Sequence, residues 1–90
     1  MIDLNTLKNY IDFAEDLTAE QEYYKVSEEI SEYKEAWLEN DAEEMIAEGL
    51  DVITAVYNHL VKLGLSENHM EKHIQKLELY RETGKYGERR

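Results

Sequence analysis

The chain has 90 residues, no cysteine, no proline and a formal net charge of −11. A lone domain of this size leaves a thin core, and no disulfide can reinforce it, so association with further copies is expected. The acidity argues against a nucleic-acid backbone as partner. No apolar run of membrane-spanning length occurs, and Met1-Ile2-Asp3-Leu4 lacks the basic and apolar regions of a signal peptide, so a cytoplasmic protein with no membrane partner is expected.

The charge is divided unevenly. Residues 1–61 hold 16 acids against 3 lysines, whereas residues 62–90 hold 5 acids against 7 Lys and Arg. Glu, Leu, Lys and Ala dominate, which favours helices joined by short connections.

The first predicted helix runs from about Asp3 to Leu17, with Leu4, Leu7, Ile11, Ala14 and Leu17 on one face. Thr18 with Gln21 has the form of a capping box and opens a second helix, whose stripe is Tyr23, Val26, Ile30, Tyr33 and Trp37. It ends near Glu39-Asn40. Asp41 with Glu44 opens a third, running to about Leu63, where Gly64 suits the left-handed position that stops a helix. Ser66 caps a fourth from about Glu67 to Thr83, with Met70, Ile74 and Leu77 inward, and Gly84 stops it. Residues 1–84 thus read as one all-α, four-helix domain completed by homo-oligomerisation, with 85–90 as a basic tail.

Acidic residues three apart recur: Asp12/Glu15, Glu29/Glu32, Glu32/Glu35, Asp41/Glu44 and Glu48/Asp51. Such pairs share a helix face, and in so acidic a chain most are solvated surface. The third helix gives one pair more weight. Ile46, Leu50, Ile53, Tyr57 and Leu60 form one side, Met45, Val52 and Val56 a flank, and Ala47 and Val61 another. The remaining polar sector is Glu44, Glu48, Asp51, Asn58 and Lys62, interrupted by Ala55. Lys25, Glu29, Glu32 and Ala36 form a similar strip on the second helix. Antiparallel packing of the two lets Glu29, Glu32, Glu48 and Asp51 converge, with room beside Ala36 and Ala55. An all-oxygen set suits a hard cation, and Mg²⁺ held by a few carboxylates and a phosphate substrate is the common case.

Other constellations are poor. Thiol chemistry is excluded, no Gly-rich phosphate loop occurs, and no Glu is followed three residues later by His, the pattern of di-iron bundles. His69 and His73 share a face but lack an H-E-x-x-H context, so they read as surface or supporting residues. Tyr23, Tyr24, Tyr33, Trp37 and Tyr57 read as core or interface rather than base-stacking residues.

The order Glu28-Glu29-Ile30-Ser31-Glu32, fifteen residues, then Glu48-Gly49-Leu50-Asp51 resembles the E-E-x-x-E and E-x-x-D motifs of the MazG-like, all-α nucleoside triphosphate pyrophosphohydrolases. The resemblance covers about residues 22–64. It implies a homodimer or homotetramer that hydrolyses a nucleoside triphosphate to monophosphate and pyrophosphate with Mg²⁺, Mn²⁺ being a substitute, as in house-cleaning of nucleotide pools. Carried over, Glu29, Glu32, Glu48 and Asp51 are the metal ligands. Glu28 begins the motif but points off the shared strip, which suggests a supporting or cross-subunit role. Lys25, Asn58 and Lys62 become candidate substrate contacts, and the basic ending supplies Lys76 and Arg81 for phosphates. Gly49 departs from the acidic or bulky residue usual there and allows close approach of a neighbouring helix. The rival reading is a non-catalytic acidic helical module that binds a partner or mimics nucleic-acid charge.

Overall fold

In the computed structural model, residues 16–84 are described, together with Thr6 and Asn9. The predicted helix over Asp3–Leu17 and the basic tail 85–90 lie essentially outside the described residues. Those described form three helices and no strand: α1 (Ala19–Leu38), α2 (Ala42–Lys62) and α3 (Glu67–Thr83). None is long and apolar enough to cross a membrane.

The local signals for these boundaries are all present. Thr18 Oγ1 accepts from the Gln21 amide, and the Gln21 side chain accepts from the Thr18 amide. Asp41 accepts from the Glu44 amide, which is half of a capping box. Ser66 and His69 form a reciprocal box at the start of α3. Histidine is an unusual third member, and its Nδ1 accepts from the Ser66 amide at 3.0 Å. This gives His69 a structural task at a helix start.

The α1–α2 turn is made by Asn40, whose φ is +57°. The Asn40 amide donates to Trp37 and the Asp41 amide to Ala36, the bond pattern that closes a helix through a left-handed residue. Gly64, with φ +100°, makes the same stop for α2, and Leu65 donates to the Leu60 carbonyl.

The three-residue turn folds α2 back antiparallel on α1. Their seam has a simple arithmetic. The buried residues of α1 are Glu22, Glu29 and Ala36, seven apart, and that of α2 is Ala55. A seven-residue repeat keeps one line of side chains against a neighbouring helix. Ala36 and Ala55 are the only buried apolar residues described. Small side chains let the helix backbones approach, and the acids sit within that contact. The expected apolar stripes lie elsewhere: Tyr23, Ile30, Tyr33, Trp37, Ile46, Leu50, Ile53 and Leu60 are all at least 40% exposed. The three helices account for the all-α class. In a single copy α3 packs on neither α1 nor α2 to a comparable extent, and Met70, Ile74 and Leu77 stay exposed rather than turned inward.

Candidate metal centre

Residues at about 100° per step on each helix divide the seam into two edges. One carries Lys25, Glu29 and Glu32 from α1 and Glu44, Glu48 and Asp51 from α2. The other carries Ile30 and Tyr33 opposite Met45, Gly49 and Val52, which line an apolar groove of about 550 Å³. The charged edge is the candidate site.

Glu29, Glu48 and Asp51 each place a carboxylate oxygen within 4.8 Å of the other two. Glu29 is buried, Glu48 half-buried and Asp51 exposed, so the cluster runs from the seam to solvent. Glu29 Oε2 and Glu48 Oε2 are buried and have no hydrogen-bond partner. A buried carboxylate oxygen without a partner is costly, and a cation is what would satisfy two at once. Opposed ligands of Mg²⁺ at about 2.1 Å stand about 4.2 Å apart. Only one pair of three can be opposed, and adjacent ligands stand about 3.0 Å apart, so the three carboxylates need to close by up to about 2 Å to ligate one ion. The donor set is all oxygen, as a hard divalent cation requires.

Charge accumulation is visible in the protonation of Glu48, which is pushed up to about 7. Burial is the largest cause. The neighbouring Glu44 carboxylate, which accepts from the protonated form, comes next, followed by the charge of Glu32 and its own hydrogen bond, and then the charge of Asp51. Glu32 is thereby placed beside Glu48 across the seam. Glu44 joins it one helical turn earlier on α2.

The one cation at this edge of α1 is Lys25. Its Nζ lies 2.9 Å from Glu29 Oε1 and 3.8 Å from Glu28 Oε2. The hydrogen bond to Glu29 is the main reason its ammonium is held protonated above the ordinary lysine range, despite some burial. Lys25 thus neutralises one Glu29 oxygen and leaves the other facing the cluster. Glu28 is exposed and points off the shared strip, where its neighbour is Lys25.

The remaining sequence candidates are more distant. Asn58 is half-buried and lies two turns beyond Asp51 on α2, about 10.5 Å along its axis, with Lys62 one turn further. Lys76 lies 5.7 Å above the Tyr80 ring, and Arg81 pairs with Glu78 on its own helix. With α3 standing off the hairpin, a single copy does not bring Lys76 or Arg81 to the carboxylates.

The acidic patterns that organise the sequence do not include Glu22. It is 3% exposed, and its Oε1 is buried without a partner. The signal lies in the seven-residue repeat it shares with Glu29 and Ala36, which the search for acids three apart passes over. His59 Nδ1 is likewise buried without a partner, and the His59 ring lies 6.2 Å from that of Tyr23.

Comparison with protein-family models, with curated proteins and with solved structures returns no match.

Proposed function

We propose that this chain is a divalent-metal-dependent nucleoside triphosphate pyrophosphohydrolase of the MazG-like kind, with Mg²⁺ as its natural ion. The observation that supports this most directly is the approach of Glu29, Glu48 and Asp51 from two helices to within 4.8 Å, with two buried oxygens unpartnered. The motif order of Glu28, Glu29, Glu32, Glu48 and Asp51 supplies the reaction class by resemblance.

In this reading Glu29, Glu48 and Asp51 hold the ion. Bound there, it offsets triphosphate charge and makes an attacking water more acidic. Glu32 and Glu44 flank Glu48 and would be the carboxylates available to accept a proton beside it. Lys25 holds the Glu29 carboxylate in place through its ion pair. Attack at the α-phosphorus leaves monophosphate and pyrophosphate.

The test is a panel of nucleoside triphosphates with and without Mg²⁺, with products identified by chromatography. Metal-dependent release of monophosphate and pyrophosphate is expected. Glu29→Gln and Asp51→Asn should each lower turnover by on the order of 100-fold or more. Absence of turnover with every nucleotide at saturating metal would sink the enzyme reading and return the chain to the acidic-module alternative.

A further inference from the structure

The α1–α2 seam continues past the carboxylate cluster toward the open end of the hairpin, and it stays polar there. Glu22 repeats the position of Glu29 seven residues earlier on α1 and, at 3% exposure, is the more deeply buried of the two. Its Oε1 is buried without a hydrogen-bond partner. His59 lies one turn beyond the buried Ala55 on α2, so it looks onto the same seam. Its Nδ1 is also buried without a partner. Two orphaned polar atoms, an oxygen from one helix and a nitrogen from the other, are costly unless something meets them.

The register of the hairpin brings these two residues to the same level. Glu32 lies against Glu48, and Glu29 against Asp51. In an antiparallel pair each step outward on α1 is matched by a step outward on α2. Glu22, seven residues before Glu29, therefore stands level with Asn58, seven residues after Asp51, and with its neighbour His59. The other edge of the seam agrees, because the ring of Tyr23, next to Glu22, lies 6.2 Å from that of His59. Neither orphaned atom satisfies the other, and no nearby cation does so. Lys25, on the next turn of α1, is paired with Glu29 and Glu28. Lys62, one turn beyond Asn58, makes no hydrogen bond to Glu22 Oε1.

We infer that Glu22 and His59 form a second cation site, for a divalent transition metal of the Zn²⁺ class, with the half-buried Asn58 as the adjacent oxygen donor. The donor chemistry sets it apart from the carboxylate cluster. An imidazole nitrogen beside a carboxylate suits Zn²⁺ and its neighbours, whereas Mg²⁺ takes oxygen alone. Burial favours an ion over an organic ligand, because Glu22 at 3% exposure leaves no surface for a larger molecule to cover. The imidazole is also braced: Tyr23 packs against His59, and the Tyr24 ring meets Tyr23 edge-on at 5.5 Å. A ligand held in this way keeps its ring orientation on metal binding. Seven residues separate Glu22 from Glu29 and eight separate His59 from Asp51, about 10.5 and 12 Å along the helices, so the two sites share no ligand. An ion here ties the open ends of α1 and α2 together. The inference stands or falls independently of the proposed reaction.

The test titrates the full chain with Zn²⁺ while excess Mg²⁺ occupies the carboxylate cluster. Calorimetry should show one Zn²⁺ bound per chain. Proton–nitrogen correlation spectra of the imidazole rings should shift His59 Nδ1 and leave His69 and His73 unmoved, which requires no variant. Glu22→Gln and His59→Gln should each weaken Zn²⁺ binding by on the order of 100-fold. Far-UV circular dichroism reports whether the helices persist in both. Asp51→Asn, about two turns away, should leave Zn²⁺ affinity within about twofold. Absence of Zn²⁺ binding overturns the inference. So does a shift of His69 or His73 in place of His59, because the ion then sits on α3. Loss of Zn²⁺ binding in Asp51→Asn with Glu22→Gln unaffected also overturns it and assigns the ion to the carboxylate cluster.

Discussion

The α1–α2 hairpin and α3 contain helices of similar length, 20, 21 and 17 residues, held by different means. In the hairpin each helix supplies buried residues to a shared seam. In α3 nothing is buried, yet both ends are finished: Ser66 and His69 close the start, and Gly84, with φ +67°, closes the end. The hairpin shows what packing does to chemistry, because bringing two helices together through alanines forces carboxylates into one another's fields. The third helix shows what local signals achieve alone, a defined segment with ordinary charges and no shared environment.

Substitution at the seam should break the hairpin hardest. Ala36 is 2% exposed at the contact between helices. Ala36→Leu adds three carbons where no space exists and should cost about 1–3 kcal/mol. For a domain of this size that is a fall in Tm of roughly 4–8 °C per kcal/mol, read by thermal denaturation. Ile74→Ala on α3 removes a similar volume from an exposed site and should stay within about 0.5 kcal/mol. Equal effects would mean that α3 is packed as tightly as the seam.

Acidity offers the next contrast. Glu48 binds its proton more tightly in the folded protein, about 7 against an ordinary value of 4.5. The folded state therefore holds more protons than the unfolded one between these values. Its contribution to stability is fully present below about pH 4.5 and is lost as pH rises through 7. A divalent cation reverses this sign, because it binds the carboxylate and competes with the proton. Calorimetric titration with Mg²⁺ should show affinity rising from pH 6 to 8 with proton release on binding. Affinity that is flat over this range would separate Glu48 from the metal site.

Local protection of α3 should depend on its cap. Ser66→Ala removes the hydroxyl that accepts from the His69 amide and should cost about 1 kcal/mol. Because α3 has little packing to share the loss, hydrogen exchange should accelerate along the first turns of α3 and remain unchanged in α1 and α2. Acceleration across all three helices would instead reveal a common cooperative unit.

Much of this was legible in the residues. The helix starts at Thr18, Asp41 and Ser66 and the stops at Gly64 and Gly84 follow from capping chemistry, which acts over three or four residues. The meeting of Glu29 with Glu48 and Asp51 follows from facing strips and a short turn. The seam itself was harder to read. Hydrophobic periodicity picks out Ile46, Leu50, Ile53 and Leu60 as the inner face of α2, and in a single copy that face is outside. Periodicity reports which side of a helix is apolar, whereas the neighbour that the next helix meets is chosen by turn geometry and by the small residues Ala36 and Ala55. The same limit applies to Lys76 and Arg81. Their spacing places them on α3, but nothing in the spacing says where α3 goes.

Gly49 carries the smallest expected effect and the sharpest contrast between local and tertiary preference. As a glycine within a helix it costs about 1 kcal/mol relative to alanine. A Cβ built there meets the Tyr33 ring at 3.3 Å, tight but against the Cε1 atom of a side chain rather than a backbone. Tyr33 is 41% exposed and lines an open groove, so its ring has room to retreat by a few tenths of an ångström. Gly49→Ala should therefore be stabilising by up to about 0.5–1 kcal/mol, the helix gain outweighing a small ring displacement. A fall in Tm instead would show that the ring is held in place. The sign of one thermal shift thus reports whether helix propensity or the contact with Tyr33 decides at this position.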